Sequence, residues 1–133
     1  MLQPSRKTNI MRYNGEELAA IVKMAISMAA ADGYFADEEK EAIFHELANF
    51  GVTPEQAAHL LIRAKEMDVS EAFSILSAMG TEQKKYVTGF LAVIMASDGD
   101  IDESEVKMWQ LISVLAKLPD MTFPEALAFW NNN

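Results

Sequence analysis

Apolar residues recur every three or four positions along much of the chain. Two such series stand out: Leu18, Ile21, Val22, Ala25 and Met28, and further along Val87, Phe90, Leu91 and Ile94. This spacing places side chains on one face of an α-helix, whereas a strand would alternate with a period of two. Both segments are apolar over most of the helix circumference, which is typical of buried helices in a bundle. We therefore predict central helices over residues 15–31 and 82–97.

Helix start signals divide the rest of the chain. Thr53 with Gln56, Thr122 with Glu125, and Asp102 with Glu105 each place a cap residue three positions before a partner, and Pro54 suits a first helical position. Strand signals are nearly absent. We predict an all-α, single-domain bundle over residues 15–133, preceded by a tail over residues 1–14. Its helices fall at about 15–31, 37–50, 54–66, 70–79, 82–97, 102–117 and 123–131.

An internal repeat organises these helices. A shift of 66 residues aligns residues 30–35 with 96–101 and Glu39 with Glu105, and a shift of 70 aligns residues 54–55 with 124–125. The pattern predicts two pseudo-symmetric three-helix units joined by a linker helix over residues 70–79. A pseudo-two-fold would bring the two acidic turns together. The alternative is chance alignment of helical sequences that share Ala and Glu.

Charge and composition narrow the function classes. Eleven Lys and Arg against twenty Asp and Glu give a net charge of −9, which repels nucleic-acid phosphates and favours cations or basic protein surfaces. The longest uncharged stretch, Tyr86 to Ser97, is far shorter than the roughly 20 residues of a membrane-spanning helix. With no cysteine and no secretory signal pattern, we expect a cytoplasmic protein.

Residues 96–105, ASDGDIDESE, hold five acidic side chains in ten positions. Residues 30–39, AADGYFADEE, form a similar but shorter acidic segment with the same Asp-Gly pair. Helix capping explains part of this acidity. Asp102 can cap the next helix, while Glu103 and Glu105 favour its positive N-terminal end. Capping does not explain Asp98 and Asp100.

The same turn matches the second half of an EF-hand calcium loop. Asp98, Gly99, Asp102 and Glu105 have the spacing of that half, with glycine at the sharp turn and glutamate as the last ligand. The first two ligand positions would fall on Ile94 and Ala96 in this copy, and on Met28 and Ala30 in the other. None of these four side chains coordinates a cation. Each turn is thus half a site, and two half-sites brought together could supply enough oxygens.

Two glutamates begin apolar helical rows. Glu105 heads the row Trp109, Ile112 and Ala116, and Glu39 heads the row Ile43, Leu47 and Phe50. We expect both carboxylates to point inward, where they either accept backbone hydrogen bonds or ligate a cation. Trp109 is accordingly predicted to be buried.

Catalytic motifs are missing from the sequence. His45 and His59 form no HExxH or His-x3-His pair, and the chain has neither a G-x-S-x-G turn nor a glycine-rich phosphate loop. We predict no catalytic residues. The last helix is rich in aromatic surface, with Phe123, Phe129 and Trp130, and should dock on the bundle or on a second subunit.

The twice-used ADG/SDG turn, followed by a glutamate after an Ala-rich apolar helix, resembles the TerB family of tellurite-resistance-associated proteins over residues 15–117. The resemblance implies an all-α bundle, acidic residues associated with divalent cations, and roles in stress-response complexes. By motif match it carries over Asp32, Gly33 and Glu39 in one copy and Asp98, Gly99 and Glu105 in the other. The first copy has Tyr34 and Ala36 where the second has Asp100 and Asp102.

Together these features predict a non-enzymatic TerB-like module that binds a divalent cation weakly, Ca²⁺ before Mg²⁺, and acts through a protein partner. The predicted metal ligands are Asp32, Glu39, Asp98, Asp100, Asp102 and Glu105. The main alternative is a structural helical domain, a homo-oligomer without metal, whose acidic turns only cap helices. A metal-dependent hydrolase is a minor alternative.

Overall fold

The fold is entirely helical in the part of the chain that the computed structural model describes, residues 13–31, 37–97, 99 and 101–132. No strand occurs there, and the predicted all-α class is confirmed. The described residues form seven α-helices: α1 (Gly15–Ala29), α2 (Asp37–Leu47), α3 (Pro54–Glu66), α4 (Val69–Ser77), α5 (Thr81–Met95), α6 (Glu103–Leu115) and α7 (Phe123–Asn132). A 3₁₀ turn, Ala48–Phe50, extends α2.

Helices α1 and α5 lie at the centre of the bundle, as their broad apolar circumference predicts. Helix α1 packs against α2, α3, α4, α5 and α6, and α5 also packs against α2, α6 and α7. Their buried side chains include Ile21, Met24, Phe90, Leu91 and Ile94. Among the helices in the described ranges, none is both long enough and apolar enough to cross a membrane.

Two of the three predicted capping pairs are observed, whereas Asp102 caps α6 by accepting from the Ser104 backbone N–H, two positions on. Thr53 Oγ1 accepts a hydrogen bond from the Gln56 backbone N–H at 3.2 Å, and the Gln56 side chain accepts one from the Thr53 backbone N–H at 2.9 Å. Thr122 and Glu125 form the same reciprocal pair. Several predicted ends lie one to three residues beyond the observed α-helices, because the capping residues look helical in sequence but adopt turn or 3₁₀ geometry.

Two helix ends 66 residues apart share the same hydrogen bonds. Gly51 and Lys117 both have positive φ, 82° and 56°, where the chain leaves the C-terminal end of its helix. Around each, two backbone N–H groups close the helix in a Schellman pattern: Gly51 to Ala48 and Val52 to Leu47, then Lys117 to Val114 and Leu118 to Ser113. The repeat of whole units and its pseudo-two-fold relation stay predictions, because many helices end in this pattern.

The last helix, α7, docks on the bundle rather than extending into solvent. Trp130 is 2% exposed and packs edge-to-face on Phe90 with ring centroids 5.7 Å apart. Its indole Nε1 donates a hydrogen bond to Glu46 Oε2 at 2.9 Å, which ties α7 to α2. Of the two docking modes that the sequence leaves open, contact with the bundle is therefore observed.

A glycine allows α5 and α7 to approach closely, and we expect Gly89→Ala to destabilise the fold. A Cβ at Gly89 would lie 3.0 Å from Trp130 Cβ and 3.1 Å from the Ala126 carbonyl oxygen. Alanine gains about 1 kcal/mol of helix propensity, but overpacking a tight contact costs about 1–3 kcal/mol. Urea unfolding should show a net loss of about 1 kcal/mol.

Gly15→Ala is the matched control, because nothing lies within 4 Å of a Cβ at that first position of α1. It should leave stability unchanged or raise it by up to about 1 kcal/mol. If the free energy of unfolding of Gly89→Ala equals that of Gly15→Ala, then α7 moves away from α5 without loss of stability and the prediction is wrong.

Candidate functional site

The two glutamates that head the apolar rows are both buried. Glu39, in the first turn of α2, is 1% exposed, and Glu105, in the first turn of α6, is 2% exposed. The next residues of their apolar rows, Ile43 and Trp109, lie one turn further along each helix and are also buried. Residues four positions apart lie on the same face of a helix, so both carboxylates face inward as predicted.

The second acidic turn is shaped by its glycine and by one capping aspartate. Gly99 has φ +78°, a backbone conformation that residues other than glycine rarely adopt. Its N–H donates a hydrogen bond to the Ala96 carbonyl at 3.1 Å. Asp102 Oδ1 accepts a hydrogen bond from the Ser104 backbone N–H at 2.7 Å and caps α6. The capping interpretation therefore holds for Asp102, and its role as a metal ligand stays a prediction.

The residues at the early EF-hand positions belong to the preceding helix. Ile94 is buried in α5, and Ala96 caps the end of that helix. The Ile94 carbonyl accepts hydrogen bonds from the backbone N–H of Ser97 at 3.1 Å and from Ser97 Oγ at 2.6 Å. This end of α5 therefore cannot form the first half of a calcium loop, in agreement with the sequence.

The remaining predicted ligands, Asp32, Asp98 and Asp100, lie outside the described residues, as does Gly33. Among the residues that are described, no three His, Cys, Asp or Glu side chains are grouped closely enough to hold a metal ion. A complete site would therefore need one or more of these three aspartates beside Glu39 or Glu105.

Each of the helices that carry the buried glutamates packs across the bundle. Helix α2 contacts α5 as well as its own neighbour α1, and α6 contacts α1 as well as α5. An open cleft of about 590 Å³ lies between α2 and the end of α5, and its lining includes Glu38, Glu41 and Ser97. Helix α2, which carries Glu39, thus lies across this cleft from Ser97, near the start of the second acidic turn.

One polar contact was not foreseen from the sequence. Glu46 Oε2 accepts hydrogen bonds from both the Trp130 indole at 2.9 Å and the Asn49 side-chain amide at 2.8 Å. The Glu46–Asn49 pair has a helical spacing that sequence could suggest. The Trp130 contact spans 84 residues and depends on how α7 docks.

Comparison with known proteins places the chain in a family. Residues 17–128 match the family model described as tellurite resistance protein TerB. No curated protein matches the chain significantly. A crystal structure of a protein of unknown function from Porphyromonas gingivalis is 44% identical, with a TM-score of 0.83 over 93% of this chain and 100% of that one. Since the family model spans most of the chain, the protein belongs to the TerB family.

Proposed function

We propose that the protein is a non-enzymatic module that binds a divalent cation at its acidic turns and acts through a protein partner. The observation that carries this proposal is the burial of Glu39 and Glu105 at positions 66 residues apart, each in the first turn of a helix that follows an Asp-Gly pair in the sequence. The family match and the similar solved structure indicate no enzyme family.

Burial makes these carboxylates costly unless hydrogen bonds or a positive charge compensate for lost water. The donor set consists of carboxylates and suits a hard, oxygen-preferring cation. Ca²⁺ takes six to eight oxygens and tolerates irregular geometry, so it should bind better than Mg²⁺. Asp98 with Glu105, and Asp32 with Glu39, would form two related sites or one shared site. Because Ile94 and Ala96 occupy the early ligand positions of the calcium-loop pattern, waters complete the shell and affinity is weak.

We expect millimolar Ca²⁺ to raise the stability of the protein. A ligand at one hundred times its dissociation constant adds about 2.7 kcal/mol to the free energy of unfolding. Thermal melts with and without Ca²⁺ measure this effect, and amide NMR titration should show shifts around Gly99 and Gly33. Unmoved amides and an unchanged melt would contradict the proposal.

Glu105→Gln separates cation binding from capping, because it removes the charge and keeps the shape. If the buried carboxylate serves a cation, the variant should equal or exceed the native protein in stability in chelator and fall below it in Ca²⁺. If the carboxylate only accepts backbone hydrogen bonds, the variant should lose stability equally in both buffers. Glu103→Gln is the matched control, since Glu103 is exposed and pairs with Lys107 at 3.2 Å.

Helix α6 also exposes an apolar surface that favours an interaction role. Val114 is 75% exposed, and Leu111 and Leu115 are about half exposed on neighbouring turns. This surface suits a protein partner, or a second copy in the alternative of a structural homo-oligomer. Sedimentation velocity distinguishes them. If the protein self-associates without Ca²⁺ and the Leu111→Glu variant does not, the homo-oligomer is favoured. If the native protein is a monomer, a separate partner is favoured.

A further inference from the structure

The outer face of α6 exposes apolar side chains to solvent. Val114 is 75% exposed, Leu111 is 50% exposed and Leu115 is 48% exposed. The inner face of the same helix, which includes Trp109 and Ile112, is buried against the bundle. Residues three and four positions apart are neighbours on a helix surface, so the three exposed residues form one continuous patch. Such a patch favours contact with another protein surface.

Charge favours a second copy of the chain as the protein that covers this patch. Residues 106–123 contain two lysines and one aspartate, a local charge of +1 in a chain with a net charge of −9. Two molecules of net charge −9 repel each other, and they repel least where the local charge is not negative. A basic partner would instead be attracted to an acidic surface such as the start of α2, whose first turn holds three acidic residues.

The two ends of α6 are complementary to each other in charge. Glu103 begins the helix, and the exposed Lys117 follows its last turn. Glu103 pairs with Lys107 at 3.2 Å, whereas Lys117 forms no ion pair with the described residues. Leu111 lies near the midpoint between positions 103 and 117. If two copies of α6 pack antiparallel about Leu111, Glu103 of each copy meets Lys117 of the other, and the positive end of each helix dipole meets a negative end.

We propose that the outer face of α6 is the interface of a homodimer, in which the two α6 helices pack antiparallel with Leu111 near the two-fold axis. Helix α6 has 13 residues and is about 20 Å long, so its one face is smaller than the roughly 800 Å² per partner of a stable interface. The dimer is therefore weak, with a dissociation constant on the order of 100 μM.

This interface does not depend on the proposed cation. Glu105 is buried on the inner face of α6, so contacts on the outer face leave it in place. A different protein partner of the proposed function would then bind to another surface. The dimer is tested in chelator, and its result is therefore independent of the experiments with Ca²⁺.

Sedimentation velocity of the full chain, from about 10 μM to 1 mM, should show a shift from monomer to dimer. Val114→Glu should weaken the dimer about tenfold or more, because it places like charges at the interface. Ile62→Glu is the matched control, since Ile62 is 58% exposed on α3 and the substitution changes the net charge equally. It should leave the dimer unchanged. A monomer at every concentration, or equal weakening by both substitutions, would overturn the proposal.

Charge exchange tests the antiparallel arrangement. Glu103→Lys alone, or Lys117→Glu alone, should weaken the dimer about threefold to tenfold, because like charges then meet across the two-fold axis. The double variant exchanges the two charges and should restore the native dissociation constant. Lys65→Glu, at an exposed position of α3, changes the net charge as Lys117→Glu does and should have little effect. A double variant that dimerises no better than either single variant would refute the arrangement.

Discussion

Trp109→Ala should lower the free energy of unfolding by about 3–5 kcal/mol, the usual range for a buried aromatic truncated to alanine. Trp109 is 3% exposed and meets Phe123 edge-to-face with ring centroids 5.9 Å apart. Its indole N–H also points to the Thr88 carbonyl at a long 3.4 Å. The loss is therefore mainly one of packing between α6, α5 and the start of α7. Urea or thermal unfolding measures it.

Leu111→Ala tests whether this loss reflects burial rather than any truncation on α6. Leu111 lies on the same helix but is half exposed, so its truncation should cost less than about 1 kcal/mol. A loss below 1 kcal/mol for Trp109→Ala would mean that the ring leaves the core in solution. The inward row headed by Glu105 would then be wrong as well.

Trp130→Ala should cost a similar 3–5 kcal/mol and should release α7 from the bundle. The ring packs against Tyr86 and Phe90 and covers Gly89, and its N–H reaches Glu46 at 2.9 Å. Hydrogen exchange should show that the amides of α7 lose protection before those of α1. Full protection of α7 in the variant would show that Phe129 and Leu127 suffice to hold it.

Trp130→Phe removes the hydrogen-bond donor and keeps a smaller aromatic ring, so a double-mutant cycle is needed to separate the hydrogen bond from the lost packing. A hydrogen bond to a charged group contributes about 1.5–3 kcal/mol. Glu46→Ala, which removes the acceptor, completes a double-mutant cycle. The coupling energy should be smaller than about 1.5–3 kcal/mol, since Asn49 still donates to the same oxygen when the indole N–H is absent. Asn131→Ala, at an exposed position of α7, is the control and should change stability little.

Much of this structure could be predicted from local chemistry. The capping pair Thr53 and Gln56 fixes the start of α3 because both partners lie within one turn. The apolar circumference of α1 and α5 predicts their central position because a helix without a polar face must be surrounded. The inward direction of Glu39 and Glu105 follows from their fixed spacing to Ile43 and Trp109.

Contacts between distant segments could not be predicted in the same way. From sequence alone, Gly89 is a residue of low helix propensity inside a helix. The close approach of Ala126 and Trp130 shows that this position has no room for a larger residue. The hydrogen bond from Trp130 to Glu46 depends on how helices remote in sequence are placed. The same is true of the cavity whose lining includes Lys40 of α2 and Lys65 of α3. By itself, the sequence determined helix positions, inward faces, net charge and the acidic segments, because short-range spacing and composition fix these. Only the tertiary structure decided which faces meet, because many packings of the same amphipathic helices satisfy one hydrophobic pattern.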